Sequence, residues 1–186
     1  MSFKTIYFTF TLVDETNLEL LRVLRNSAVL SEYMAQKKDI SKADQQKWFE
    51  KLNKNRNKYY LVYDNETANL IGYTLIKNID FNQKRGEPGT FLIDRDLLES
   101  SKAALFMITF LDYCYFELDI KHFFGNVLKS NERALGNYAF FRPKVIKSTS
   151  KEIYFEDVEA YLVNTTKLRK ALNLVFNYSS NFQCEK

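Results

Sequence analysis

Apolar and polar positions alternate from Lys4 to Val13. Ile6, Phe8, Phe10 and Leu12 stand against Tyr7, Thr9 and Thr11, which predicts one strand rich in aromatic and β-branched residues. The period then changes. Asp14 offers an N-cap carboxylate, and Leu18, Leu21, Val23 and Leu24 form an apolar helical face ending near Ser27. A short second helix is expected over roughly Leu30 to Met34. Ser41 with Asp44 three positions on forms a capping box, with Asp in the place of Glu. It opens a helix to Asn53 whose buried side carries Trp48, Phe49 and Leu52.

The second half reads mostly as strands. Tyr59–Tyr63 and Asn69–Ile79 flank a turn at Asp64-Asn65-Glu66-Thr67. Asn82 to Gly89 contains Gly and Pro and reads as another turn, leaving Thr90–Ile93 as a short central strand. A helix follows from about Lys102 to Glu117, then a strand at Phe123–Leu128 and a helix at Asn131–Phe141 that Pro143 ends. Strands at Lys144–Thr149 and Ile153–Val163 precede a helix at Thr165–Phe176. Hairpins, then βαβ, then another hairpin predict an α/β (α+β) fold: one mostly antiparallel mixed sheet of about seven strands with helices on both faces. Residues 1–178 are expected to form a single domain, with 179–186 as a flexible tail.

Composition narrows the function. Of 186 residues, 46% are apolar, so the chain can bury one substantial core. The net charge is only +4, with lysines interleaved among acids, which argues against a nucleic-acid surface. No apolar run is long enough for a membrane span. Cys114 lies in an apolar stretch, Cys184 in the polar tail, and His122 is the single histidine. That set lacks metal-ligand spacing and suggests a reducing, cytoplasmic compartment.

The most informative stretch is Asn131-Glu132-Arg133-Ala134-Leu135-Gly136-Asn137-Tyr138. On a helix it puts Asn131 at the entrance, Ala134 where a close neighbour needs room, and Tyr138 one turn beyond on the same face. This resembles the Asn-x-x-Ala-x-x-x-Tyr motif of the GNAT acyltransferases. Leu24-Arg25-Asn26-Ser27, Tyr33-Met34, Ile40-Ser41 and Lys47-Trp48-Phe49-Glu50 extend the likeness. They resemble the branch that holds the ribosomal-protein N-terminal acetyltransferases and the amino-sugar N-acetyltransferases of the pseudaminic acid pathway.

The resemblance implies a sheet splayed between its fourth and fifth strands, Thr90–Ile93 and Phe123–Leu128, with acetyl-CoA in the gap. Leu92, Ile93 and Asp94 are then expected to offer backbone groups to the pantetheine arm. Ser100, Ser101, Lys102 and Ala103 would lie at the diphosphate, although the window 99–104 has no glycine and begins with Glu99. Asn126 and Asn131 are expected at the cofactor, Asn131 serving equally well as a helix N-cap. Tyr138 would protonate the departing thiolate, a task that suits a phenol at neutral pH. Glu87 is the candidate base, or else a solvated turn carboxylate.

Tyr33, Met34, Trp48 and Arg25 are candidates for the acceptor pocket; Arg25 fits equally a cation at a helix C-terminus. The expected acceptor is a small-molecule amine, first a nucleotide-linked amino sugar of bacterial surface glycan synthesis. A protein N-terminus or another small amine is the alternative, as is a GNAT-like binding module without turnover. The hairpin strands and C-terminal segment are expected to offer a homodimer surface.

Overall fold

The first aromatic run does not make one strand. Thr5 breaks it: its amide donates to the Phe8 carbonyl at 2.9 Å and its hydroxyl accepts from the Phe8 amide at 3.1 Å. These local bonds compete with the ladder and turn the chain. β1 (Phe3–Lys4) therefore folds back antiparallel on β2 (Phe8–Leu12), pairing Phe3 with Phe10. Ile6 sits in the turn, 71% exposed, while Phe8 and Phe10 are fully buried.

The computed structural model describes residues 2–31, 39–93, 95–98, 100–157, 160–178 and 182–184, with the backbone alone at 31, 95–96, 137–140 and 157. The other strands are β3 (Lys58–Asp64), β4 (Leu70–Asp80), β5 (Arg85–Leu92), β6 (His122–Leu128), β7 (Lys144–Ser148), β8 (Glu152–Asp157) and β9 (Gln183–Cys184). The helices are α1 (Leu18–Arg25), α2 (Ala28–Ser31), α3 (Lys42–Lys51), α4 (Arg95–Leu98), α5 (Ser101–Phe116), α6 (Glu132–Phe141) and α7 (Tyr161–Phe176). Among the described residues the sheet has nine strands in the order β7-β8-β6-β5-β4-β3-β2-β1-β9. Neighbours are antiparallel except β5 and β6, which are parallel and joined through α4 and α5.

The expected architecture holds, with four boundaries corrected. The nine strands exceed the expected seven because the first run splits and because Gln183–Cys184 pairs with β1. The tail expected to fray from residue 179 is thus tied to the sheet there, with the Phe182 ring edge-on to Phe3 and Tyr113. The Asn82–Gly89 turn is shorter than expected, since β5 already begins at Arg85 and runs through Gly86, Pro88 and Gly89. The last predicted strand ends at Asp157, because Tyr161 already belongs to α7.

Each face of the sheet buries its own core. α5 covers one, where Phe3, Phe8, Phe10, Tyr60, Phe106, Phe110 and Tyr113 pack with rings stacked or edge-on. Burying a side chain of this size contributes about 1.5–3 kcal/mol. α1 and α3 cover the other through Leu21, Leu24 and Phe49 against Leu61, Tyr73 and Leu75. The N-cap of α3 is Ser41, as expected, its hydroxyl accepting from the Asp44 amide at 3.1 Å. Asp14 does not cap α1; it accepts from Thr16, and Asn17 takes the N-cap position.

α7 is fastened to α5 by a buried ion pair. Asp112 is fully buried and receives both terminal nitrogens of Arg169, the Tyr161 hydroxyl at 2.8 Å and the Tyr178 hydroxyl. A carboxylate can be buried only with this many donors around it.

Candidate active site

β5 and β6 are in register only at Arg85–His122 and Gly86–Phe123. Beyond Gly86 they part, while β5 stays paired with β4 up to Gly72–Leu92. The Ile93 amide donates to the Ile71 carbonyl at 2.9 Å. Strand alternation therefore directs the backbone groups of Phe91, Gly89 and Glu87 to β4, and those of Leu92, Thr90 and Pro88 into the gap. Pro88 stands where the gap opens and has no N–H to leave unpaired. The result is a short free strand edge inside a sheet, with donors and acceptors at Thr90 and Leu92.

A cavity of about 550 Å³ occupies the gap and reaches both faces. On the α5 face its walls are Leu92, Ala103, Phe106, Met107, Phe123 and Tyr161. On the α1–α3 face they include Leu30, Lys77, Glu87, Phe91, Phe124 and Asn126. The start of α6 closes one side with Asn131, Arg133 and Ala134.

Of the site residues expected from sequence, the cavity brings together Glu87, Leu92, Ala103, Asn126 and Asn131. Asn131 acts as the N-cap of α6, its Oδ1 accepting from the Ala134 amide at 3.0 Å, while it also borders the cavity. Asn126 donates to Glu152 at 2.6 Å. Glu87 is bound on both oxygens, by Lys77 at 2.8 Å and by the Asn78 amide at 3.0 Å. Tyr138 lies in α6, and its side chain is outside the described residues, as are Tyr33, Met34 and Asp94.

Three expectations are corrected. Ile93 does not offer its amide to a ligand, because Ile71 accepts it. Lys102 is not a free cation: its Nζ lies 2.5 Å from Asp64 and 3.2 Å from Glu66. Burial opposes its charge, yet these bonds outweigh that and raise its pKa, and the Lys102 bond likewise overcomes desolvation to lower that of Asp64. Arg25 does not cap α1. Its guanidinium donates to Gln45 at 3.0 Å and lies 5.0 Å from the centre of the Trp48 ring, which is edge-on to Tyr59. Arg25 and Trp48 thus meet each other and are not among the residues of the cavity wall. Ser100 caps α5 through the Lys102 amide, and Ser101 is exposed.

Sequence reasoning missed Pro88, Thr90, Met107, Arg133 and Tyr161, all of which line the cavity. Pro88 and Thr90 had a signal, since Pro is confined to strand edges and bulges.

No protein-family model and no curated protein matches this chain. Solved structures do. The apo form of FdhC, a nucleotide-linked sugar GNAT, aligns with a TM-score of 0.70 at 17% identity, covering 92% of this chain and 97% of that one. The spermidine N-acetyltransferase of Vibrio cholerae, solved with CoA and spermine, gives 0.67 at 15% identity over 84% and 98%. A domain from Methanocaldococcus jannaschii gives 0.63 at 15% over 80% and 96%. The chain has the GNAT fold. Within that GNAT fold the parted strands are β5 and β6, the pair expected from sequence.

Acetyl-CoA fits one part of this GNAT cleft and not another. An extended amide-bearing arm matches the free edge at Thr90 and Leu92 and the apolar walls beside it. The entrance of α5 does not suit a diphosphate. Ser100 takes the Lys102 and Ala103 amides, and two carboxylates hold the local lysine.

Proposed function

We propose that the protein is an acetyl-CoA-dependent N-acetyltransferase that acylates a small amine, by direct attack of the amine on the thioester. The observation that carries this reading is the free edge of β5 opening into a cavity that reaches both faces of the sheet. One face is apolar and takes the arm; the other carries the charged pair Lys77–Glu87 and takes the acceptor. The thioester supplies an activated acyl group, so no nucleophilic side chain is required.

The chain's own residues then have four tasks. Thr90 and Leu92 hold the arm by strand-like hydrogen bonds and so fix the position of the carbonyl. Phe106, Met107 and Phe123 exclude water from it. Glu87, fixed by Lys77 and Asn78, draws the acceptor's ammonium into the cleft and takes one proton from it, which frees the lone pair of the neutral amine to attack the thioester. Tyr138, placed on α6 beside the cavity-lining residues Asn131 and Ala134, donates a proton to the departing sulfur.

The acceptor we favour is a nucleotide-linked amino sugar. The support is aromatic: Phe91 and Phe124 line the cavity on the acceptor face, Phe91 backed by the buried Tyr73 ring stacked on it at 4.6 Å, and rings of this kind suit the face of a sugar or base. Resemblance to the nucleotide-linked sugar GNAT runs in the same direction. A polyamine is the second reading, supported by the spermidine enzyme's similar fold. Release of free thiol from acetyl-CoA, measured against a panel of nucleotide-linked amino sugars and polyamines, tests both. Turnover with an amino sugar supports the proposal; turnover with polyamines alone moves the acceptor; none with any amine leaves a GNAT-fold binding module.

A further inference from the structure

The entrance of α5 is held shut from within. The Lys102 amide bonds the Ser100 hydroxyl at 3.2 Å and the Ala103 amide bonds the Ser100 carbonyl at 3.2 Å. The Lys102 ammonium bridges Asp64 and Glu66 from the β3–β4 turn. A diphosphate arriving here meets two carboxylates, a neutralised lysine, and Lys102 and Ala103 amides already bonded to Ser100. Repulsion between like charges in partly buried surroundings costs far more than at an open surface.

Positive charge is available elsewhere on the rim. Arg133, in the first turn of α6, lines the cavity and is exposed, and among the described residues it makes no ion pair. It belongs to a basic segment: from Lys129 to Lys151 there are six cations and the single acid Glu132, in a chain whose net charge is only +4. Asn131, Ala134 and Pro143 of that segment also line the cavity, so it borders the cleft directly. Lys144 and Lys147 stand on β7, exposed throughout. The nearest acid of β8 in the cavity wall, Glu152, is already bonded to Asn126 and Tyr154.

We propose that the phosphates of the acyl donor are held by Arg133 and the basic segment that follows it, and not by the entrance of α5. This rests on the acetyl-CoA reading above and deepens it. The arm still lies along β5; its anionic end turns toward α6. A guanidinium suits this task, since it offers paired donors to phosphate oxygens and stays charged at any working pH.

Calorimetric titration of the whole chain with CoA, and with pantetheine, which has the arm but no phosphates, tests it. Arg133→Ala should weaken CoA by about tenfold or more, the loss of a charge-assisted contact, and leave pantetheine unchanged. Arg133→Lys should recover part of the loss. Lys102→Gln, checked for folding by its melting curve, should bind CoA as the wild type does. If Arg133→Ala binds CoA undiminished, or Lys102→Gln loses it while still folded, the assignment is overturned. If the wild type binds CoA and pantetheine equally, the phosphates touch nothing and the assignment falls while the cleft reading stands. If it binds neither, the donor reading itself falls.

Discussion

Gly86 faces Phe123 in the last registered rung between the two parallel strands, and two residues later Pro88 has no amide hydrogen to offer. The sheet therefore begins to open at a residue with no donor to orphan, and the first free amide of the edge comes at Thr90. A Cβ at Gly86 would come within 2.8 Å of the Ile76 Cδ1 and 3.6 Å of the Ile120 Cγ2, so the rung is also closely packed.

The geometry of β5 depends on its partner at Gly72. A Cβ there would lie 2.1 Å from the Phe91 carbonyl oxygen, which is backbone and cannot step aside. Gly72→Ala should destabilise the fold by about 1–3 kcal/mol, the scale of overpacking. Gly86→Ala should cost less, since a flexible isoleucine end can move. Urea unfolding of both variants checks the order; a Gly72→Ala midpoint equal to that of the wild type would contradict the register described.

The buried clasp at Asp112 predicts a large asymmetric effect. Asp112→Asn empties a fully buried position of its charge and leaves the half-buried Arg169 without its counter-charge, at a cost of up to about 3–5 kcal/mol, the scale for breaking a buried pair. Replacing both by apolar residues, as in Asp112→Leu with Arg169→Met, should cost less than either single change. A double-mutant cycle by thermal melting reads this directly. Because the Tyr161 ring lines the cavity, the single variant should also weaken CoA binding.

Alkaline pH should unfold the protein through its buried phenols. Burial first pushes Tyr113 up to about 12, its hydrogen bond with Tyr60 pulling the other way. An unfolded tyrosine ionises near 10. The folded state thus keeps a proton that the unfolded chain loses, so this stability is complete below about 10 and is lost as pH rises toward 12. Tm should fall across that window, and Tyr113→Phe should blunt the fall. An unchanged slope in the variant would assign the loss to other groups.

Two side chains carry the proposed proton transfers, and they should fail differently. Tyr138→Phe should lower kcat by about two orders of magnitude, the scale of general acid catalysis, with CoA affinity unchanged. Glu87→Gln should raise KM for the amine and lower kcat, since the ammonium loses both its anionic partner and its proton acceptor. Steady-state kinetics with CoA affinity measured beside it separates the two; a Tyr138→Phe variant with full turnover would return that residue to a packing role.

Much of the architecture was legible because the period of the hydrophobic pattern changes cleanly. Leu18, Leu21 and Leu24 marked α1, and Ser41 with Asp44 marked the start of α3. The failures have local causes. The side chain of Thr5 accepts from the Phe8 amide and splits a strand whose alternation never breaks. Gly86, Pro88 and Gly89 read as a turn, yet they belong to β5, whose later residues Thr90 and Leu92 carry the free edge. Lys102 looked free because its partners, Asp64 and Glu66, are distant in sequence and meet it only when β3, β4 and α5 pack. Arg133 was hidden inside the motif that pointed to Tyr138.

The central claim is that the parted edge of β5 takes the arm of acetyl-CoA. Amide hydrogen exchange at Thr90 and Leu92, followed by NMR with and without saturating acetyl-CoA, tests it most directly. Both amides should exchange freely without ligand and be protected with it, while the Ile93 amide, bound to Ile71, stays protected in both states. Thr90 and Leu92 amides that exchange at the same rate with acetyl-CoA bound would contradict it.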